Sequence, residues 1–197
     1  MRTEIFVPDG KSGEWAVETF EVTGNEFSQF KSMWEYGRGC LQAGTYKRLR
    51  RGKILVMSNT PDECDDFSHF VSKAQGSILL NGLGLGVVLQ ALINKEEVKE
   101  ITVIENSEDV IKLSGPTYTK DPKVTIIQAD AFEYQPPKEK RYNAVWHDIW
   151  DSICSDNIEE MKKLHRKYGR KTDYQESWCR GRCERERREY ERNKWYW

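Results

Sequence analysis

The 197-residue chain reads as an α/β fold, a mostly parallel sheet with helices on both faces. Three observations predict it. Short apolar runs of strand length alternate with segments of helix length. One run, Ser77–Leu80, breaks at Asn81 into Gly82-Leu83-Gly84-Leu85-Gly86 and a helix-length apolar stretch, Val87–Ile93. The next run, Ile101–Ile104, ends on an acid, Glu105. Strand, glycine turn, helix, strand is a crossover unit. It joins parallel strands and is almost always right-handed.

The segment before this unit reads as a small β-rich extension, residues 1–60. Glu4–Val7 and Trp15–Val22 alternate as strands do, split by the turn-forming Asp9-Gly10-Lys11-Ser12-Gly13. Asn25–Tyr36 carries Phe27, Phe30, Met33 and Trp34 at spacings of three and four, which predicts an amphipathic helix ended by Gly37 and Gly39. Thr45–Leu49 and Lys53–Ser58 flank Arg50-Arg51-Gly52 as a hairpin. Pro61 follows a turn, and the acids after it suit the first turn of a helix over Glu63–Ala74.

The core spans residues 61–155. After Glu105 it continues with a short helix, Glu108–Leu113. A third strand, Val124–Ile127, ends near Asp130-Ala131, and a fourth, Tyr142–Trp146, ends at His147-Asp148. Residues 156–197 form a charged tail that reads as helical. Asp156–Tyr168 has Ile158, Met161 and Leu164 on one side. From 174 to 194 arginines and glutamates interleave three and four apart, as on a solvated helix packing through Trp178, Tyr190 and Trp195. An arginine face on nucleic acid is the weaker reading, because the glutamates cancel the field.

Composition bounds the function. The net charge of −1 gives no global pull toward nucleic acid or membrane, and no apolar run approaches a membrane span. The N-terminus lacks the layout of a signal peptide. Five cysteines, none in C-x-x-C spacing, read as reduced thiols in a cytoplasm. Cys179 and Cys183 have no further Cys or His at ligand spacing, so no metal site is expected.

In open parallel sheets ligands bind outside the carboxyl ends of the strands. The candidates there are Asn81 with Gly82, Gly84 and Gly86, then Glu105 with Asn106, Asp130 with Ala131, and the cluster His147-Asp148-Ile149-Trp150-Asp151. The glycines allow a tight turn and close approach of a ligand to main chain, and the helix that follows offers free N–H groups. Glu105 can accept both hydroxyl protons of a ribose. Asp130 can meet an adenine amine beside the small Ala131, or can cap a helix. Asp148 can deprotonate an amine, with Asp151 as partner and Trp150 holding a cation, or Asp151 can cap a helix beside a core tryptophan. His147 faces the opposite side of its strand and reads as structural.

The turn is G-x-G-x-G, with Val87 where a dinucleotide fingerprint has its third glycine. It resembles the S-adenosylmethionine (SAM) motif of class I methyltransferases, a Rossmann-like fold. Residues 53–151 are similar to that fold's spermidine synthase-like branch, through KILVMSNTPDE, ILLNGLGLG, VIEN, ADAFEY and YNAVWHDIWD in order. The resemblance implies that Gly82, Gly84, Gly86, Glu105, Asp130 and Ala131 bind SAM or its decarboxylated form. It also implies that Asp148 is a base with Asp151 beside it. The chain departs from the branch in Asn106-Ser107 after Glu105, and in Trp150 standing where a serine and a proline are usual. Only a helical-looking quarter of the chain remains after Asp151, too little for a full seven-strand sheet. The expected function is therefore methyl transfer from SAM to an unknown acceptor. Aminopropyl transfer, or SAM binding without turnover and with self-association through the tail, stand as alternatives.

Overall fold

The computed structural model describes residues 3–24 and 41–194. The helix expected over 25–36 lies outside them, as do Cys40 and Trp195.

A four-stranded antiparallel sheet comes first. Its strands are β1 (Gly10–Ser12), β2 (Trp15–Val22), β3 (Gly44–Arg51) and β4 (Ile54–Ser58), paired in that order. The expected strand at Glu4–Val7 is not one. Ile5 and Val7 are buried and Phe6 is exposed, so the alternation is real, but no ladder forms. Asn59 Nδ2 instead donates to Thr3 O at 3.1 Å and holds the segment down. The Asp9–Gly13 stretch, expected as a turn, contributes β1.

The helix expected over Glu63–Ala74 is two: α1 (Pro61–Asp66) and α2 (Ser68–Lys73). They break at Phe67, which sits at φ −107°, ψ 0° with its side chain in the core. Then come β5 (Gly76–Asn81), α3 (Val87–Ile93), β6 (Val98–Glu105), α4 (Glu108–Tyr118), β7 (Val124–Gln128), β8 (Tyr142–His147), α5 (Asn157–Tyr168), β9 (Thr172–Ser177) and α6 (Arg180–Asn193).

The five strands β5–β9 form one parallel sheet in the order β7-β6-β5-β8-β9. Central β5 is buried on both faces, through Ile78, Leu79, Leu80 and Asn81. That explains why its sequence is continuously apolar rather than alternating. Leu80 stands between Val103 of β6 and Trp146 of β8. Helix α4 runs past its expected end at Leu113, through Gly115-Pro116, to Tyr118. That tyrosine is buried and donates its hydroxyl to Leu85 O at 2.6 Å, anchoring the last turn.

The tail corrects the sequence reading most. Residues 172–177, expected within a helix, pair with β8 as a fifth parallel strand, Ala144 opposite Tyr174 and Trp146 opposite Glu176. Helix α6 begins only at Arg180. Its ion pairs run i to i+4, from Arg180 to Glu184, Arg182 to Glu186 and Arg187 to Glu191. Buried Cys183 docks it on Ile158 and Met161 of α5. Trp178 packs against the main core, whereas Tyr190 is 69% exposed and packs against little. Cys64, Cys154, Cys179 and Cys183 are not joined in disulfides. Among the described residues no helix is long and apolar enough to cross a membrane, and no cluster of His, Cys, Asp or Glu could hold a metal ion.

Candidate functional site

A cavity of about 420 Å³ opens at the carboxyl ends of the central parallel strands. The strand ends supply Gly82, Gly84, Glu105, Asp130 and Asp148. The small sheet closes the other side with Trp15, Arg51 and Met57, and α1 and its C-cap with Glu63 and Phe67.

The turn after β5 is built by two kinds of crowding. Gly82 has φ +104°, and a Cβ there would overlap the main-chain carbonyl of Asp148, because Asp148 N–H donates to Asn81 O at 2.8 Å and carries the end of β8 alongside. Gly84 has φ +52°, and its missing Cβ would lie 2.7 Å from Met57 Sδ. Gly86 backs onto the ring of Tyr118 and does not line the cavity.

Glu105 reaches back under this turn. Its Oε2 accepts Leu83 N–H at 2.9 Å and its Oε1 accepts Ser107 N–H at 2.8 Å. Leu85 N–H donates to Met57 Sδ at 3.4 Å. The turn's amides were expected to stand free, and these two do not: the chain's own side chains hold them. Each carboxylate oxygen has a second lone-pair site, so Glu105 keeps capacity to accept from a ligand. The thioether is a weak acceptor that a better one displaces.

The remaining expected residues divide. Asn106, Asp130 and Ala131 line the cavity. Asp130 Oδ1 also accepts Phe132 N–H at 2.6 Å, which closes a turn; no helix stands between β7 and β8 for it to cap. Asn81 does not reach the cavity: it is fully buried, and its Nδ2 lies 2.8 Å from His147 Nδ1. His147 Nε2 in turn faces Gln175 Oε1 at 3.2 Å. The histidine is a structural tie between β5, β8 and β9. Burial pulls its pKa down to about 3.

Asp148, Trp150 and Asp151 all border the cavity, with different engagements. Burial, then the charge of Glu63, push the Asp148 carboxyl up to about 7, with Asp66 and Glu105 adding repulsion; Trp146 acts the other way. A carboxyl that titrates near neutrality suits proton transfer. Trp150 turns its indole N–H to Glu160 Oε2 at 2.7 Å. Asp151 Oδ2 accepts Arg51 Nη1 at 3.3 Å, so it pairs with the small sheet and not with Asp148.

Sequence reasoning missed Trp15, Arg51, Met57, Glu63 and Phe67, which line the cavity from outside the parallel strands, and Trp178, which directly follows β9. Glu63 lies in the acidic turn after the hairpin and carried a signal. The others are placed by tertiary packing alone.

No family model and no curated protein sequence matches the chain. Solved structures do. Spermidine synthase from Thermotoga maritima superposes over 85% of this chain and 53% of its own, at TM-score 0.50 and 14% identity. The chain has a Rossmann fold like that of the class I SAM-dependent methyltransferases, with five parallel strands. The 23S rRNA methyltransferase ErmE matches over 57% of this chain and 43% of its own, at TM-score 0.44 and 13% identity. The N-terminal domain of EvdMO1, crystallised with SAH and D-fucose, matches over 57% and 48% at TM-score 0.44 and 18% identity. The chain spans about half the length of these structures. Within the methyltransferase-like fold, the cavity lies where the strand order reverses beside β5, the switch point at which such sheets hold ligands.

Proposed function

We propose that the protein is a SAM-dependent transferase whose acceptor is a cationic amine, with methyl as the group transferred. One observation carries the reading: the glycine turn with Glu105, and the acidic end formed by Asp148 and Glu63, border the same cavity. Glu105 would accept the ribose hydroxyls with its remaining lone pairs, and Asp130 the adenine amine beside Ala131. When bound, SAM supplies an alkyl group activated by its sulfonium charge. The chain's own contribution is positioning and proton transfer. The carboxylates draw an ammonium toward Asp148, which takes its proton near pH 7 and frees the nitrogen lone pair. Trp15 and Trp178 offer aromatic faces to the cation.

A second reading, aminopropyl transfer from decarboxylated SAM, has an observation of its own in favour. Five carboxylates line the cavity, and Arg51, the one cation among the described lining residues, is paired with Asp151. Leu85 N–H is held by Met57. A ligand bearing an α-carboxylate would find few donors there. The fold likeness to spermidine synthase supports the same reading.

The by-product separates the two. With putrescine as acceptor, methyl transfer from SAM releases S-adenosylhomocysteine, and aminopropyl transfer from decarboxylated SAM releases 5′-methylthioadenosine. Neither product, with nucleoside bound, would leave a binding protein without turnover.

A further inference from the structure

We infer that Arg51 is an intramolecular competitor for the acceptor, bridging the cavity until a cationic ligand displaces it. The inference rests on the amine reading above. Arg51 ends β3 in the small sheet, and Asp151 follows β8 of the large one, 100 residues further on. Their bond at 3.3 Å therefore spans the cavity from one sheet to the other. Arg51 Nε also lies 3.7 Å from Glu14 Oε2, and its guanidinium carbon stands 5.5 Å from the centre of the Trp15 ring. Two carboxylates and an aromatic face are the surroundings an ammonium seeks. The guanidinium already has them.

The hold is light. The Arg51 and Asp151 side chains are 49% and 39% exposed, and exposed ion pairs contribute little. An amine that displaces the guanidinium from Asp151 is partly offset by its departure, so the cavity gains less positive charge than it would with Arg51 absent. Two consequences follow from that exchange. The apparent affinity for an amine is lowered by the closed fraction. Its salt dependence is muted, because less net charge is neutralised on binding than with the guanidinium removed.

Putrescine titrated by calorimetry into the full chain, saturated with 5′-methylthioadenosine, tests this. Arg51→Gln is expected to bind putrescine about two- to fivefold more tightly than the unaltered chain, with affinity falling more steeply in NaCl. Arg51→Lys is expected to fall between them, since it keeps the charge and loses the planar fork and ring stacking. It also serves if Arg51→Gln does not fold. Equal or weaker binding in the variants overturns the inference and leaves the amine reading standing. No putrescine binding in any of the three, with nucleoside bound, overturns the amine reading and the inference with it. Failure of the nucleoside itself to bind ends both.

Discussion

Glu105 and Leu83, 22 residues apart in the chain, are joined by a hydrogen bond of 2.9 Å that ties the end of β6 to the glycine turn after β5. With Ser107 N–H on its other oxygen, Glu105 closes two main-chain donors at once. Glu105→Ala leaves both without that acceptor. It should lower stability by about 1–3 kcal/mol, the usual cost of unsatisfied part-buried donors. Urea unfolding at neutral pH checks this, as a lower midpoint at unchanged slope. An unchanged midpoint would mean that water replaces the carboxylate at no cost.

Gly82 and Gly52 share a positive φ, at +104° and +58°, but differ in surroundings. Gly52→Ala meets nothing within 4 Å and should cost roughly 1 kcal/mol, the conformational part alone. Gly82→Ala must push the Asp148 carbonyl away and open the β5–β8 junction. It should cost several-fold more, on the order of 3 kcal/mol or above. Equal losses in denaturant midpoint would show that the junction yields freely.

Stability should depend on pH through three groups, buried His147 and half-buried His165 and Asp148. Burial holds His147 at about 3 and His165 at about 4, below their ordinary 6.5, and raises Asp148 from 3.8 to about 7. From pH 4 to 6.5 the unfolded chain carries two extra protons on the histidines, and the native chain carries one on Asp148. The net is one proton more on the unfolded state, so these groups make stability rise with pH in that range. As pH rises through about 7, the Asp148 contribution is lost. Asp148→Asn removes the opposing slope. The acid-side dependence should then roughly double, and both proteins should level off above about pH 7. Urea midpoints at pH 4.5, 6 and 8 read this directly, and parallel profiles for the two proteins would refute the Asp148 shift.

Ending the chain at Lys171 removes β9, and with it the Gln175 and Ser177 partners of His147 and His165 and the Trp178 N–H bond to His147 O at 2.9 Å. That protein should show no cooperative melt by circular dichroism. Ending it at Cys179 keeps the sheet and loses only α6, whose Cys183 covers Ile158 and Met161. It should melt cooperatively at a lower temperature. A full-length-like melt without β9 would make that strand incidental.

The parts of this fold that the sequence announces are those decided locally. The run Ser77–Leu80 is apolar because both faces are buried, and the glycines after it are needed by crowding a few ångströms away. Strand β9 gives no such signal. It is an edge strand reading Thr-Asp-Tyr-Gln-Glu-Ser, and only the neighbouring β8 makes it a strand. Asn81 was misread for a related reason: it sits one residue before the turn, but its side chain points to His147. Arg51 and Trp15 reach the cavity only because the small sheet lies across the mouth of the large one, which no local pattern records.

The central claim is that a nucleoside lies on the glycine turn with its ribose on Glu105. Calorimetric titration of S-adenosylhomocysteine and of 5′-methylthioadenosine, into the unaltered chain and into Glu105→Ala at a temperature where both are folded, tests it most directly. The account predicts one equivalent bound by the unaltered chain for at least one of the two nucleosides, and a loss of about tenfold or more in the variant, since a buried hydrogen bond to a charged group contributes about 1.5–3 kcal/mol. No heat with either nucleoside, or the same affinity in both proteins, would contradict it.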